Sequence, residues 1–363
     1  MMPRLLDILL AYLPAVLMLL LLPGRPKVDT IAAAIDAWEL EYEGEFWLWG
    51  VQAIDVNGDG IDDLCVTAHN GGSIILENQG DGTTWKWVDV QNGLGGTFRP
   101  RVLDFDGDGR DDLLYRDSLE NTAYWNDGRG GFADVGFGYG TGNPPVRYSG
   151  TGWFAHDFGR WEWDGQTFKS TGWKNPHYAL LPKEIKDKLD GDMGKQFFRP
   201  WFDEANGLVN VTGAWSYGEK WKSWTHFLWH RRGKLVEIGP KLGLPTQGAC
   251  TYMRGDGGAT FITGQGCYVP DGNGQFAKVP GALTDFLAVA PEWPHQVLEA
   301  EDRVAVSSVV NQRTKVFTQG TWELVADVAS WKGEACCVGD FNGDGRPDVA
   351  VGSGGTVTFV WGN

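Results

Sequence analysis

Long helical patterns are scarce in this sequence, and so are cysteines and positive charge. Only five cysteines occur, Cys65, Cys250, Cys267, Cys336 and Cys337. An odd number excludes a complete intramolecular disulfide framework, leaving room for one or two bridges in an oxidising compartment. No CxxC pair exists, and Cys336 and Cys337 are adjacent, so no zinc-ligand spacing is present. Buried thiols in strands are the expected state. Lys and Arg number 31 against 47 Asp and Glu, a formal net charge of -16. A surface so acidic repels phosphate backbones, which argues against nucleic acid as a partner. Neither a GxSxG elbow nor a Ser-His-Asp order appears, which disfavours a serine hydrolase. His156, His177, His226, His230 and His295 show no partner arrangement in the sequence.

What the chain does have is 52 glycines and 19 tryptophans among 363 residues, 42% of them hydrophobic. Many short strands joined by Gly-rich turns fit that mixture, in an all-β fold. The exception lies at the start. Leu5 to Leu22 is apolar apart from Asp7, Tyr12 and Pro14, and it follows Arg4. Residues 1–27 therefore read as a signal peptide or membrane anchor, an N-terminal hydrophobic helix ahead of the body at 28–363. At ~27 Å for 18 helical residues it is at the short end for a bilayer. No clean cleavage site closes it, which favours retention.

Three segments repeat one pattern: DVNGDGIDD at 55–63, DFDGDGRDD at 104–112 and DFNGDGRPD at 340–348. An apolar, strand-like stretch stands on either side of each, so each is the connection of a β-hairpin. A weaker hairpin pattern fills the intervals, with Asp-Gly, Gly-Gly or Gln-Gly at the turn, as tight hairpins demand. Units of about 40 to 50 residues with four strands are the size of a propeller blade. The count predicts a seven-bladed β-propeller of four-stranded blades. Ala37-Trp38-Glu39-Leu40 matches Thr321-Trp322-Glu323-Leu324, so a strand near 37–42 is expected to complete the C-terminal blade. Closure of that kind removes the exposed sheet edges. An insertion is expected near 171–197, in which 181–189 reads as a short amphipathic helix.

The repeated loops have the chemistry of a calcium site. Calcium takes six or more oxygen ligands in a flexible arrangement. A nine-residue loop can supply side chains from positions 1, 3, 5 and 9 and a carbonyl from position 7. In the first loop these are Asp55, Asn57, Asp59 and Asp63, with the carbonyl of Ile61; in the second, Asp104, Asp106, Asp108 and Asp112, with Arg110. In the third they are Asp340, Asn342, Asp344 and Asp348, with Arg346. Position 6 is glycine each time (Gly60, Gly109, Gly345), where the chain must turn sharply. An EF-hand is excluded, because position 12 is Val66, Tyr115 or Val351 and not a bidentate Glu. About three Ca²⁺ ions are expected, each offsetting carboxylate repulsion and fixing a hairpin.

The loops resemble the FG-GAP, or VCBS-type, repeats of integrin α-subunit propellers and of many exported bacterial proteins. Gly136-Phe137-Gly138 is a faint echo of the Phe-Gly element, while Thr67-Ala68-His69 and Gly352-Ser353-Gly354 stand where the family has Gly-Ala-Pro. The resemblance implies a calcium-loaded propeller outside the cytoplasm, secreted or membrane-anchored. It does not imply an integrin.

Three functions follow as expectations, since a propeller hosts binders and enzymes alike. The first is an extracellular recognition or adhesion module for a glycan or protein, with Trp47, Trp49, Trp201 and Trp221 as candidates for stacking on sugar rings; packing between blades is the plainer role for any one of them. The second is a polysaccharide (uronate) lyase or hydrolase at the propeller axis. His69, Arg99, Arg116 and Arg199 are its candidates, with Phe98-Arg99-Pro100 and Phe198-Arg199-Pro200 as echoes of one position. The third is a structural docking subunit of an envelope complex.

Overall fold

A computed structural model describes residues 28–31, 48–68, 72–88, 100–104, 108–116, 121–128, 131–134, 146–148, 152–154, 159–163, 168–174, 180, 182–190, 197–203, 208–217, 220–232, 234–248, 250–255, 258–290, 295–308, 310–330 and 336–362. The fold is all-β and propeller-like. Among the described residues, seven four-stranded antiparallel sheets follow one another, the first opening with Leu48–Ile54 and the sixth with His295–Ala300. The seventh runs Cys336–Gly339, Asp348–Ser353 and Thr356–Val360, and its outer strand comes from the other end of the sequence.

Strand alternation explains why these sheets stack side by side. In the first sheet Val51, Leu64, Val66, Ile74 and Leu76 face the seventh sheet, where they meet Cys337, Phe341, Ala350 and Phe359. Their alternating neighbours Ile54, Cys65 and Ile75 face the second sheet and meet Leu113 and Tyr124. Both faces are apolar because both are covered, so the strands read as continuous hydrophobic runs. The same division recurs between the fourth and fifth, fifth and sixth, and sixth and seventh sheets. The opening strands of the fifth, sixth, seventh, first and second sheets touch in that order. They are the innermost strands of a radial array.

An N-terminal strand does complete the C-terminal sheet, but it is Val28–Ile31, paired antiparallel with Thr356–Val360 from Val28↔Val360 to Ile31↔Val357. Residues 37–42, the expected closing strand, lie outside the described residues. The β-branched Val28, Thr30 and Ile31 suit the edge of the sheet. Residues 1–27 also lie outside the described set, and among the described residues no helix is long and apolar enough to cross a membrane.

In the expected insertion, helix α1 spans Lys183–Asp190 and buries Ile185. Residues 171–174 belong instead to the strand Phe168–Lys174, and Phe197 opens the fourth sheet. A second helix, α2 (Ala282–Ala288), wedges Leu283, Phe286 and Leu287 between the fifth and sixth sheets.

Candidate metal site

Each nine-residue loop joins the first two strands of its sheet, with Ile54↔Asp63, Leu103↔Asp112 and Gly339↔Asp348 as the last pairs before it. The side chains fold the loop by taking its backbone N–H groups. Asp55 accepts from Gly58 at 2.8 Å and from Gly60 at 3.0 Å, one oxygen each. Asp104 accepts from Asp108 and Gly109, and Asp340 from Asp344 and Gly345, in the same way. At position 5, Asp59, Asp108 and Asp344 accept from residues 61, 110 and 346 at 2.8, 2.9 and 2.9 Å. Asn57 and Asn342 at position 3 accept from Asp59 and Asp344. Gly60, Gly109 and Gly345 have φ of 84°, 88° and 80°, a left-handed turn that a side chain would strain.

Position 9 differs from the others. Asp63 is fully buried and clamps two chain segments, accepting from Val56 at 2.9 Å and from Asn78 at 2.6 Å. Asp348 does the same with Phe341 at 3.0 Å and Gly362 at 2.5 Å, and Asp112 takes Asn126 at 2.8 Å. Burial pushes Asp63 up to about 7, against the pull of its two N–H partners, and the charges of Asp59 and Asp55 push further. Asp348 is raised to about 6 by burial, with Asp344 and Asp340 adding to it. Asp62 is likewise raised to about 6, chiefly by burial.

Among the described residues no three acidic, His or Cys side chains already stand as a cage around a point. The donor set nonetheless fits a hard cation: carboxylate, amide and carbonyl oxygens only, with lone pairs left after each N–H bond. Among the described residues, none of Asp55, Asp59, Asp62, Asp63, Asp340, Asp344 and Asp348 is paired with a cationic side chain. The second loop differs, because Arg110 contacts Asp108 and donates to Asn126 O at 3.0 Å. Asp106 lies outside the described residues.

Two segments match family descriptions, residues 55–115 the FG-GAP-like repeat and residues 333–360 the FG-GAP repeat. The chain carries FG-GAP repeats in these two segments. Both matches contain the nine-residue loops, and the FG-GAP loops sit on the seventh, first and second sheets, which adjoin. No curated protein matches the chain significantly. Among solved structures it is similar to BBS1N in complex with ARL6DN, at 10% identity and TM-score 0.44, over 87% of this chain and 93% of that one. It is also similar to the AfRom2 CNH domain, at 10% identity and TM-score 0.47, over 88% of this chain and 95% of that one.

Away from the FG-GAP loops, His69 and Arg99 lie outside the described residues. Arg116 ends the strand Asp112–Arg116, and the backbone of Arg199 pairs with Thr212 in the fourth sheet. Trp47 is outside the described set, and Trp49, Trp201 and Trp221 lie in strands. Other tryptophans do pack between sheets: Trp85 stacks on Phe359 at 5.4 Å, and Phe359 on Trp361 at 5.0 Å.

Several partners could not be read from sequence. His226 Nδ1 lies 2.7 Å from Glu237, whose other oxygen takes the N–H groups of Phe227 and Gly239. Asn210, in an Asn-Val-Thr sequon, is buried and donates to Thr225 Oγ1 and His226 O, so the folded chain withholds it from glycosylation. Cys65, Cys267, Cys336 and Cys337 are buried thiols with no disulfide. Asn78 and Asn126, which supply the N–H groups for Asp63 and Asp112, carry the one signal that could have been found: each opens a Gly-rich turn one hairpin after its loop.

Proposed function

We propose that this FG-GAP protein is a closed seven-bladed propeller, loaded with calcium at its three loops, that serves outside the cytoplasm as a recognition module for a glycan or protein. The observation that carries it is the pair of loops at 55–63 and 340–348, whose seven carboxylates have no protein cation among the described residues. Buried acids whose protonation is favoured by burial and by one another gain from a divalent ion. Residues 55, 57, 59 and 63, with the carbonyl of Ile61, would hold one ion, and their equivalents in the other loops the rest. The metal supplies charge compensation and a fixed hairpin; the chain's own part is to present oxygens from a turn shaped by glycine. Closure is supported by the seam between the seventh and first sheets, where the two ends of the sequence meet. A membrane anchor or signal at 1–27 is the proposed means of reaching a calcium-rich compartment.

The test is calcium titration by calorimetry together with thermal melting, with and without EDTA. Binding of about three ions and a fall in Tm on chelation are expected. An unchanged Tm and no heat of binding would end the reading. A glycan and polyuronate array, run in calcium, then identifies the ligand class; unsaturated product absorbing in the ultraviolet would move the site to lyase chemistry.

A further inference from the structure

The FG-GAP loops of the first and seventh sheets are joined by a residue that belongs to neither ligand set. Asp62 stands at position 8, between the carbonyl of Ile61 and the carboxylate of Asp63. Its carboxylate accepts from the backbone N–H of Asp340 at 2.7 Å, and its own N–H donates to Asp340 O at 2.9 Å. Asp340 is position 1 of the next loop, so both of its peptide groups are held from across the seam. Asn78 adds a second tie, donating to Asp62 O at 3.1 Å and to Phe341 O at 2.5 Å. The approach is close: a Cβ on Gly339 would lie 2.7 Å from Asp62 Oδ2, and one on Gly343 would lie 3.1 Å from Ile61 Cδ1.

The pattern has a direction. Asp111, at position 8 of the second loop, is raised chiefly by burial, with the nearby charges of Asp55 and Asp104 adding to it. Position 8 of the 340–348 loop is Pro347, which has neither an N–H nor a carboxylate to offer. The sixth sheet beyond it turns on Glu301-Asp302 alone, between Ala300 and Arg303. The hydrogen-bonded link is therefore the one from Asp62 to Asp340, and Pro347 has no group with which to repeat it toward the sixth sheet.

Resting on the calcium reading above, we propose that the loops at 55–63 and 340–348 bind their cations cooperatively, with Asp62 as the coupling residue. An ion in the first loop fixes Ile61 and Asp63 on both sides of Asp62. Asp62 in turn fixes the backbone of Asp340, which must be set for the second ion. Coupling of this kind is reciprocal, so either loop when filled strengthens the other by the same factor.

Calorimetric calcium titration of the full-length chain tests it through a double-mutant cycle. Asp344→Ala, which removes a ligand of the 340–348 loop, is expected to weaken calcium at the 55–63 loop by about tenfold. Asp59→Ala should weaken the 340–348 loop equally. In an Asp62→Ala background each of these effects should shrink below about twofold, while Asp62→Asn, which keeps an acceptor for Asp340 N–H, restores them. Unchanged affinity at the remaining loop in the otherwise native chain overturns the coupling and leaves the calcium reading standing. No calcium binding anywhere takes down both. If Asp62→Ala does not fold, amide exchange in Asp344→Ala decides: calcium at the first loop should slow exchange of the Asp340 N–H, and no change refutes the proposal.

Discussion

The residue that opens the second strand is Asp348 in the seventh sheet and Arg303 in the sixth, and the two do related work with opposite charge. Asp348 takes the N–H of Gly362, and Arg303 donates to the carbonyl of Trp361 at 2.5 Å. Those two atoms belong to one peptide group, gripped from both sides. Asp348 is fully buried and Arg303 is 4% exposed, so each had to leave water. The carboxylate comes with a long acidic loop and a need for counter-charge. The guanidinium comes with a turn of two residues and brings its own cation, with Asp302 3.6 Å away at the surface. On the proposed calcium reading, the seventh sheet would meet its counter-charge with an ion from solution, whereas the sixth meets it with a charge from its own chain.

That contrast can be broken most severely at position 9. Asp63→Ala orphans two buried backbone N–H groups and should cost about 3 kcal/mol, measured by denaturant unfolding, with Asp348→Ala close behind. Next comes acid, which should act on the sixth sheet. His295, buried at the start of that sheet, is held down to about 4, chiefly by burial, against 6.5 for free imidazole. The unfolded chain therefore takes up a proton that the folded chain refuses. The contribution of His295 to stability should be full above pH 6.5 and fall by up to about 3 kcal/mol as the pH drops from 6.5 to 4. Subtracting the profile of His295→Phe from that of the native chain isolates this loss; identical profiles would refute it. Arg303→Met should cost about 2 kcal/mol in calcium and in EDTA alike, since its role needs no metal. A calcium-dependent cost there would erase the distinction between the two closures. Smaller still is the difference between two equivalent asparagines. Asn78 donates across to Phe341 O, whereas the Nδ2 of Asn126 has no partner among the described residues, so Asn78→Ala should cost about 1 kcal/mol more than Asn126→Ala.

The loops and most hairpins were legible because their signals are contiguous: ligand order, glycine at a fixed offset and alternating apolar residues all lie within a dozen positions. The seams were not. Asp62 and Asp340 are 278 residues apart, and nothing local in either segment names the other. The strand Val28–Ile31 is hidden for the same reason, since it is chosen by its pairing with Thr356–Val360, more than 300 residues on, and not by any local motif. In the motif, position 9 looks like the other ligand positions. Its burial and its grip on Val56 and Asn78 come from strand geometry that a motif does not display. Arg303 carries no local signal, because its partner is a backbone carbonyl 58 residues on.

Cys336 and Cys337 are neighbours in sequence, yet Cys336 packs against the sixth sheet and Cys337 against the first. Because strand residues alternate, their sulfurs point away from each other, and each is sealed by a different interface. A thiol reagent that reaches one need not reach the other. A single proteolytic peptide carrying both would then tell, by which sulfur is modified, on which flank the terminal blade first comes loose.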